Sequence, residues 1–428
     1  MTTPWIDVEP MDPPAHARLR RRAIFDCCKW DPQVGDVGTI ADRPLVLTSA
    51  AWTELATLTR TLAAEVLSAE QELSQRPELH GDLGLPRAVV SALGRAAGSR
   101  TLATARLVRF DFHYTNTGWR ISEANTDVPG GMNEASGLAS LMAPHYHHTA
   151  IAGDAAGAYA RALAGPRGSR AHVALAHATA YTDDRQVMTY LARRLSELGV
   201  RTSLISPAHL RWRDGCAYAE TEWTSERVDA IARFFPAEWL PNLPEACGWT
   251  RFFHASSSPL SNPATAVLTQ SKRFPLVWER LHTKLPTWSR LLPETRDPRD
   301  VPWQSDDGWV LKPALGRVGE GIGMKDVVTP AEWRTIERDV RRAPRHWIAQ
   351  RRFVSSPLVT QGGVLHPSVG VYAVDGCVAG AYGRLARRPL IDAQAMDTAV
   401  LVETRSLQRQ VEAGLQARLE LADGESHR

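Results

Sequence analysis

The stretch that decides the fold is Arg109-Phe110-Asp111-Phe112-His113-Tyr114, followed by Ile121-Ser122-Glu123-Ala124-Asn125. Apolar and polar side chains alternate in the first run, which is the period of a half-buried β-strand. We therefore predict a strand with two different faces. One carries Val108, Phe110, Phe112 and Tyr114, and the other carries Arg109, Asp111 and His113.

The segment Asn116-Thr117-Gly118 joins the two runs and predicts a hairpin. Its glycine suits the left-handed position of a three-residue loop. A loop of that length places Thr115 opposite Trp119, and this register continues along both strands.

The same register sets Asp111 opposite Glu123 and Arg109 opposite Asn125. Directly opposed side chains lie about 5 Å apart at Cβ, and two facing carboxylates repel each other unless a cation lies between them. A Mg²⁺ ion bound by Asp111, Glu123 and the amide of Asn125 would remove that repulsion, with nucleotide phosphates completing its octahedron. The alternative is an exposed strand face of solvated charges.

Composition describes an ordinary globular protein. The chain has 428 residues, of which 43% are hydrophobic and 23% charged, which is enough for two or three lobes around a large core. A net charge of +3 does not indicate a nucleic-acid partner, and the basic run 18–22 lacks interleaved aromatics. No apolar run reaches the roughly 18 residues of a membrane span, so we expect no membrane partner.

Cysteine usage and the first residues bear on localisation. Five cysteines without paired spacing predict reduced thiols, not a disulfide framework or a zinc site. The segment 1–14 is acidic and contains prolines, unlike a signal peptide. We therefore expect a cytoplasmic protein, and the sequence leaves the oligomeric state open.

Periodicity places elements around these motifs. Helices are predicted at 48–73, 86–97, 133–142, 150–164, 183–198, 274–281 and 330–342. Strands are predicted at 172–176, 201–205, 308–312, 321–324, 346–350, 368–372 and 378–382. The strand–helix–strand unit at 172–205 predicts a parallel sheet, and it lacks the G-x-G-x-x-G pattern of a dinucleotide site.

A glycine-rich segment follows the strand that ends in Lys312. Its glycines, Gly316, Gly319 and Gly321, would let backbone N–H groups turn towards phosphate oxygens, and Lys312 would add a point charge. A glycine-rich surface hairpin explains the same residues equally well. Lys272 and Arg384, taken alone, carry no such signal.

Several short motifs, in this order, resemble the glutathionylspermidine synthetase family of ATP-grasp ligases. They are Arg109-Phe110-Asp111, Glu123-Ala124-Asn125-Thr126-Asp127-Val128-Pro129, Ser271-Lys272 before Pro275-Leu276-Val277-Trp278, Leu291-Leu292-Pro293, Lys312-Pro313, Gly316-Arg317, Gly319-Glu320-Gly321, Ile348-Ala349-Gln350, and Gly370-Val371-Tyr372 through Gly383-Arg384. They extend over about residues 45–403.

The resemblance implies a fold class and a set of site residues. The fold would be α+β and α/β, an ATP-grasp fold that clamps a nucleotide between two lobes, with a preATP-grasp-type lobe before them. The implied metal ligands are Asp111, Glu123 and Asn125, and the implied transition-state arginines are Arg109 and Arg384. ATP would be bound by Lys272, Lys312, Gly316, Gly319, Gly321 and Gln350.

The resemblance also implies amide formation through an acyl phosphate, with ATP and Mg²⁺ as cofactors and small-molecule carboxylate and amine partners. Two departures bear on the substrate. Val128 and Gly130 stand where the family typically has hydroxyl residues, and Arg351 follows Gln350 where an acidic residue is usual. No cysteine–histidine amidase domain is expected in the first hundred residues.

We therefore expect an amino acid, peptide or polyamine-type substrate pair, not glutathione and spermidine. The competing interpretations are a small-molecule or acyl kinase on the same fold and a catalytically inactive nucleotide-binding module. The predicted organisation is an N-terminal segment (1–45), helices with the metal-site hairpin (46–165), an α/β lobe (166–250), the ATP-grasp lobes (251–405) and a C-terminal tail (406–428).

Overall fold

The structure is a computed structural model that describes residues 3–98, 105–254, 257–316, 319 and 321–404. Its α-helices are α1 Pro13–Asp26, α2 Ser49–Ser74, α3 Arg87–Ala96, α4 Ala139–Met142, α5 Ala155–Ala164, α6 Thr182–Ser196, α7 Val267–Gln270, α8 Pro286–Leu291 and α9 Pro330–Arg342. A π-helical segment, Asn133–Leu138, precedes α4, and the longer 3₁₀ segments are Pro77–Leu83 and Phe274–Arg280.

The strands of the described residues are numbered along the chain. They are β1 Trp5–Ile6, β2 Gln33–Val34, β3 Val37–Gly38, β4 Leu45–Leu47, β5 Leu107–Thr115, β6 Gly118–Asn125, β7 Thr149–Ile151, β8 His172–His177, β9 Arg201–Ile205, β10 Leu210–Arg213, β11 Cys216–Glu220, β12 Ser225–Arg227, β13 Ala230–Phe234, β14 Leu260–Ser261, β15 Thr295–Arg296, β16 Trp309–Pro313, β17 Trp347–Arg351, β18 Leu358–Thr360, β19 Gly363–Val374, β20 Cys377–Ala386 and β21 Met396–Glu403.

The largest sheet within the described residues has nine strands. Its main path runs β1-β4-β21-β20-β19-β5-β6, and β18 and β7 pair with β19 and β21. The predicted hairpin β5–β6 forms one end of this path, and β19 pairs with β5 on its other side. The two strands predicted at 368–372 and 378–382 pair as longer antiparallel strands, β19 and β20.

Both faces of the large sheet are covered, and the alternation in β5 decides which residues go to each face. Val108, Phe110 and Phe112 pack in one core cluster with the buried face of α2, including Leu55, Leu62 and Val66. Thr48 caps α2 by accepting a hydrogen bond from the Ala51 N–H, as the sequence predicts. The opposite face of β5 directs Arg109, Asp111 and His113 towards a cavity.

The predicted parallel unit is present as a second sheet of order β14-β13-β8-β9. The helix α6 connects β8 to β9, as the strand–helix–strand pattern predicts. A third sheet, β15-β17-β16, carries Lys312 and Gln350 on adjacent antiparallel strands. None of the helices in the described ranges combines the length and apolarity that a bilayer crossing needs.

The hairpin turn differs from the prediction. Thr115 pairs with Gly118 and Tyr114 with Trp119, so the loop has two residues and the prediction of three is wrong. Thr115 stabilises the shorter turn, since its Oγ1 accepts from the Thr117 N–H at 3.2 Å and donates to the Gly118 carbonyl at 2.7 Å. A β-bulge then restores the predicted pairing of Asp111 with Glu123.

Two further expectations are wrong in part. The helix predicted from residue 150 begins at Ala155, because the chain first adds β7 to the large sheet and Asp154 then caps α5. The strand predicted at 321–324 is reduced to one bridge, Leu311 to Gly323. The left-handed φ of Gly321, +69°, does not suit a regular strand.

Candidate active site

The charged residues of the hairpin line a cavity of about 450 Å³ between the large sheet, the parallel sheet and the sheet that carries Lys312. This volume lies within the range of small-molecule sites. The predicted residues that line it are Arg109, Asp111, Glu123, Asn125, Lys312, Gly319, Gln350 and Arg384. Lys272, Gly316 and Gly321 do not line it, but Lys272 contacts Glu123, which does.

Asp111 is held by two neighbours on the same sheet face. Arg109 donates to both carboxylate oxygens, with Nε–Oδ1 at 2.7 Å and Nη2–Oδ2 at 2.9 Å. The Asn125 amide donates to Oδ2 at 3.1 Å. Burial raises the pKa of Asp111, and Arg109 opposes this shift. The register in which Arg109 faces Asn125 is confirmed.

Glu123 is paired with a lysine from a distant part of the chain. Its Oε2 lies 3.0 Å from Lys272 Nζ, which also donates to the Gly316 carbonyl at 2.7 Å. Burial would raise the pKa of Glu123, but Lys272 and Lys312 outweigh it and lower the pKa to about 2. Lys272 therefore connects the predicted metal ligand to the start of the glycine-rich segment.

Lys312 points into the same region from β16. Its Nζ donates to the Gln350 Oε1 at 2.8 Å and to the Ser122 carbonyl at 3.2 Å. Burial lowers the pKa of Lys312 to about 8, although Glu123 acts in the opposite direction. Burial and Lys312 together lower the pKa of His113 to about 4, so this histidine is neutral at pH 7.

Arg384 reaches the cavity from β20. Its Nη2 donates to the Asp392 carbonyl at 2.8 Å, and its Nε lies 3.4 Å from Asp397 Oδ1. Burial lowers the pKa of Arg384, but Asp397 outweighs it and raises the pKa above its ordinary value. The positive charge of Arg384 also opposes the rise in the pKa of Asp111 that burial causes, as the charge of Arg109 does.

The glycine-rich segment is described at three predicted positions. Gly319 and Gly321 have φ values of +75° and +69°, a conformation in which a side chain is strained. A Cβ atom at Gly319 would lie 2.5 Å from the Ile391 carbonyl oxygen. Arg317, Val318 and Glu320 lie outside the described residues.

A buried polar network fixes the chain just after Asn125. The Gln270 Oε1 accepts from the N–H groups of Thr126 and Asp127 at 2.8 and 3.0 Å. The Asn262 Nδ2 donates to the carbonyls of the same two residues, and Asp127 forms a buried ion pair with Arg233. This network sets the direction in which the chain enters the Pro129-Gly130-Gly131 loop.

The loop borders an apolar part of the cavity. Val128 and Gly130 line it together with Val187, Phe234 and Trp239. The Gly130 carbonyl accepts from Arg109 Nη1 at 2.9 Å and from the Tyr372 hydroxyl. Val128 and Gly130, the positions where the sequence departs from the family pattern, therefore bring no hydrogen-bonding side chain to the cavity.

The sequence did not predict one charged cluster at the cavity. Lys29 contacts Asp31, Glu134 and Asp397, with its Nζ at 2.9, 2.8 and 2.8 Å from their carboxylates. These four residues lie in three segments that are far apart in the sequence, Lys29 with Asp31, Glu134 and Asp397, so no local pattern could have indicated the whole cluster. Only the acid–base pairing of the folded chain shows the cluster.

The predicted metal ligands fit Mg²⁺ bound together with a nucleotide better than a free ion. No group of three or more His, Cys, Asp and Glu side chains arranged for a metal occurs in the described part of the chain. Mg²⁺ usually takes one or two carboxylates and completes its shell with phosphate oxygens and water. Asp111 and Glu123 supply those two carboxylates, and Asn125 adds an amide.

A family model described as glutathionylspermidine synthase preATP-grasp matches residues 30–400. The chain belongs to this family. The family resemblance and the predicted fold class, an ATP-grasp-related α/β fold, are thereby confirmed. The match also supports placing the chain in a family of ATP-dependent ligases.

A solved structure has a similar fold. The apo form of a glutathione synthetase-like effector from Globodera pallida matches with a TM-score of 0.62 and 11% identity, covering 91% of this chain and 97% of that one. A protein provisionally called gamma-glutamylcysteine synthetase, from Methylobacillus flagellatus KT, matches with a TM-score of 0.40 and 13% identity, covering 83% and 89%. No curated protein sequence matches the chain.

Proposed function

We propose that this member of the family is an ATP-dependent carboxylate–amine ligase that forms an amide through an acyl phosphate and releases ADP and phosphate. One observation carries the proposal. Asp111 and Glu123 from adjacent strands meet Lys272 and Lys312, which come from distant parts of the chain, at one cavity. Such a combination of two acids and two lysines suits a nucleotide triphosphate with its metal.

The residues divide the work by charge. Lys272 and Lys312 neutralise phosphate oxygens, and the backbone N–H groups of Gly319 and Gly321 would bind the same phosphates. Asp111, Glu123 and Asn125 would hold Mg²⁺, which would supply positive charge that makes the transferred phosphoryl group more electrophilic. The contacts of Arg109 and Lys272 with the two carboxylates are exchanged for contacts with the bound ligand.

The chemical sequence has two displacements. A substrate carboxylate oxygen attacks the γ-phosphorus, the bond to ADP breaks, and an acyl phosphate forms. A neutral amine then attacks the acyl carbon, phosphate leaves, and the nitrogen loses a proton to give the amide. Arg109 and Arg384 stabilise the negative charge that develops on the transferred phosphoryl group in both steps.

We propose that the enzyme joins a substrate pair of the amino acid, peptide or polyamine type, and that this pair is not glutathione with spermidine. Val128 and Gly130 support this choice, because neither residue offers a side-chain hydrogen bond to a polar tripeptide at the positions where the family typically has hydroxyl residues. A Cβ at Gly130 would make only an ordinary contact with the Phe234 ring, at 3.6 Å.

The test is an ADP-release screen of carboxylate–amine pairs with Mg²⁺, followed by mass measurement of the product. Asp111→Asn and Glu123→Gln should each abolish ATP turnover while the protein stays folded, and Glu279→Gln is the matched control on an exposed residue. An amide product supports the ligase. A stable phosphorylated acid would instead indicate a kinase, and full turnover in either site variant would refute the metal assignment. A protein that binds ATP without any turnover would indicate an inactive module.

A further inference from the structure

Lys29 is a buried cation at the edge of the cavity, in the segment that follows α1. Only 4% of its surface is exposed, and its Nζ contacts Asp397 Oδ2, Glu134 Oε1 and Asp31 Oδ1 at 2.8, 2.8 and 2.9 Å. Glu134 is also buried, and its second oxygen has no hydrogen-bond partner among the described residues. One lysine is thus paired with all three of these carboxylates.

Asp397 connects this lysine to Arg384. Asp397 on β21 lies directly opposite Arg384 on β20. Asp397 gives one oxygen to Lys29 at 2.8 Å, while its other oxygen lies 3.4 Å from Arg384 Nε. The second distance is longer than a normal charged hydrogen bond, and Nε has no hydrogen-bond partner in the described part of the protein.

The unequal distances have an electrostatic reason. A carboxylate that is already paired with a buried ammonium group attracts a second cation less strongly than an unpaired one does. Without Lys29, Asp397 and Glu134 would both be poorly compensated buried anions next to the arginine. Arg384 would then close onto Asp397 with two short hydrogen bonds, and its guanidinium would be less available to a group bound in the cavity.

We propose that Lys29 is a positioning residue that keeps Arg384 available for the reacting phosphoryl group by competing for Asp397. This inference rests on the proposed function, in which Arg384 stabilises that group. It gives the segment before the family match, which begins at residue 30, a direct role at the site. Neither Lys29 nor Asp397 contacts the reacting atoms in this proposal.

The kinetic test compares Lys29→Met with Lys29→Arg and with Lys284→Met, a control on an exposed lysine. We expect Lys29→Met to lower kcat about 100-fold, the loss typical of a misplaced catalytic group, with KM for ATP unchanged. Lys29→Arg should recover much of kcat, because it restores the positive charge. Adding Asp397→Asn to Lys29→Met should also recover part of it by releasing Arg384. An unchanged kcat, or a defect confined to KM, would overturn the proposal.

Loss of Lys29 leaves buried acids uncompensated, and Lys29→Met could therefore fail to fold. In that case the double variant Lys29→Met/Glu134→Gln takes its place, because Glu134→Gln removes one of the buried negative charges. Asp31 needs no change, because its side chain is 39% exposed. Crystal structures of the wild type and this variant give a readout that needs no turnover. The Arg384–Asp397 separation should shorten from 3.4 Å to about 2.8 Å. An unchanged separation would overturn the positioning role, whereas a wild type without ligase activity would refute only the proposed function.

Discussion

Asp111 lies directly opposite Glu123 because Ser122 bulges out of β6 between Ile121 and Glu123. Without the bulge the register of the turn would continue, and Glu123 would lie opposite Phe110 on the core face. The bulge returns Glu123 to the cavity face and presents the Ser122 carbonyl to Lys312 Nζ at 3.2 Å. One extra residue therefore places an acid and aligns a lysine at the same point.

Metal binding should depend on the nucleotide. Arg109 and Lys272 already engage Asp111 and Glu123, so a free divalent ion must compete with two buried cations. We expect Mn²⁺, followed by electron paramagnetic resonance, to bind weakly to the protein alone and tightly when a non-hydrolysable ATP analogue is present. Glu123→Gln should abolish the tight binding. Equal Mn²⁺ affinity with and without the analogue would contradict this prediction.

Nucleotide affinity should fall at alkaline pH because of Lys312. Its pKa of about 8 means that the ammonium form, which attracts phosphate, is lost as the pH rises through that value. Bound phosphates raise the pKa again, so binding near pH 8 should take up a proton. Calorimetry of an ATP analogue at pH 7 and pH 9, in buffers of different ionisation enthalpy, measures both effects. Lys312→Gln should bind more weakly and lose the pH dependence, and equal wild-type affinity at both pH values would refute the assignment.

Two neighbouring glycines should respond differently to alanine. Gly131 has a φ of +85°, and a Cβ there would lie 2.7 Å from the Tyr372 hydroxyl oxygen. Gly131→Ala should therefore lower the free energy of unfolding by about 1–3 kcal/mol. Gly130→Ala is the control, because its Cβ would make only an ordinary contact with Phe234 at 3.6 Å. Urea denaturation compares the two, and equal destabilisation would show that the loop conformation is not the cause.

The Asp127–Arg233 ion pair should be essential for stability. Both side chains are fully buried, with 0% exposure. Arg233→Met would leave Asp127 as an unpaired buried charge and should cost about 3–5 kcal/mol in the free energy of unfolding.

The exposed pair Arg280–Asp82 provides the comparison for Arg233. Arg280→Met should cost about 1 kcal/mol or less, because solvent screens that pair. Thermal or chemical unfolding of both variants decides the prediction. A similar cost for the two would show that burial does not set the value of the Asp127–Arg233 pair.

The sequence predicted elements correctly where the periodicity of apolar side chains or a helix-capping residue defines them. The alternation in β5, the Thr48 cap of α2 and the parallel unit of β8 and β9 all follow from such signals. The turn at 116–118 was misread, because the Thr115 side chain stabilises a shorter loop than the glycine position suggested. The pairing of Asp111 with Glu123 was still correct, since the bulge compensates for the shorter loop.

The sequence by itself determined the two faces of β5, the order of the motifs and the family, because these depend on side-chain period and on residues close together in the chain. Only the tertiary structure decided that Lys272 contacts Glu123, that Lys312 and Arg384 face one cavity, and that Lys29 shares Asp397 with Arg384. Such contacts join segments far apart in sequence. They form only when the packed sheets bring opposite charges together, because burying a charge costs free energy that its partner must offset.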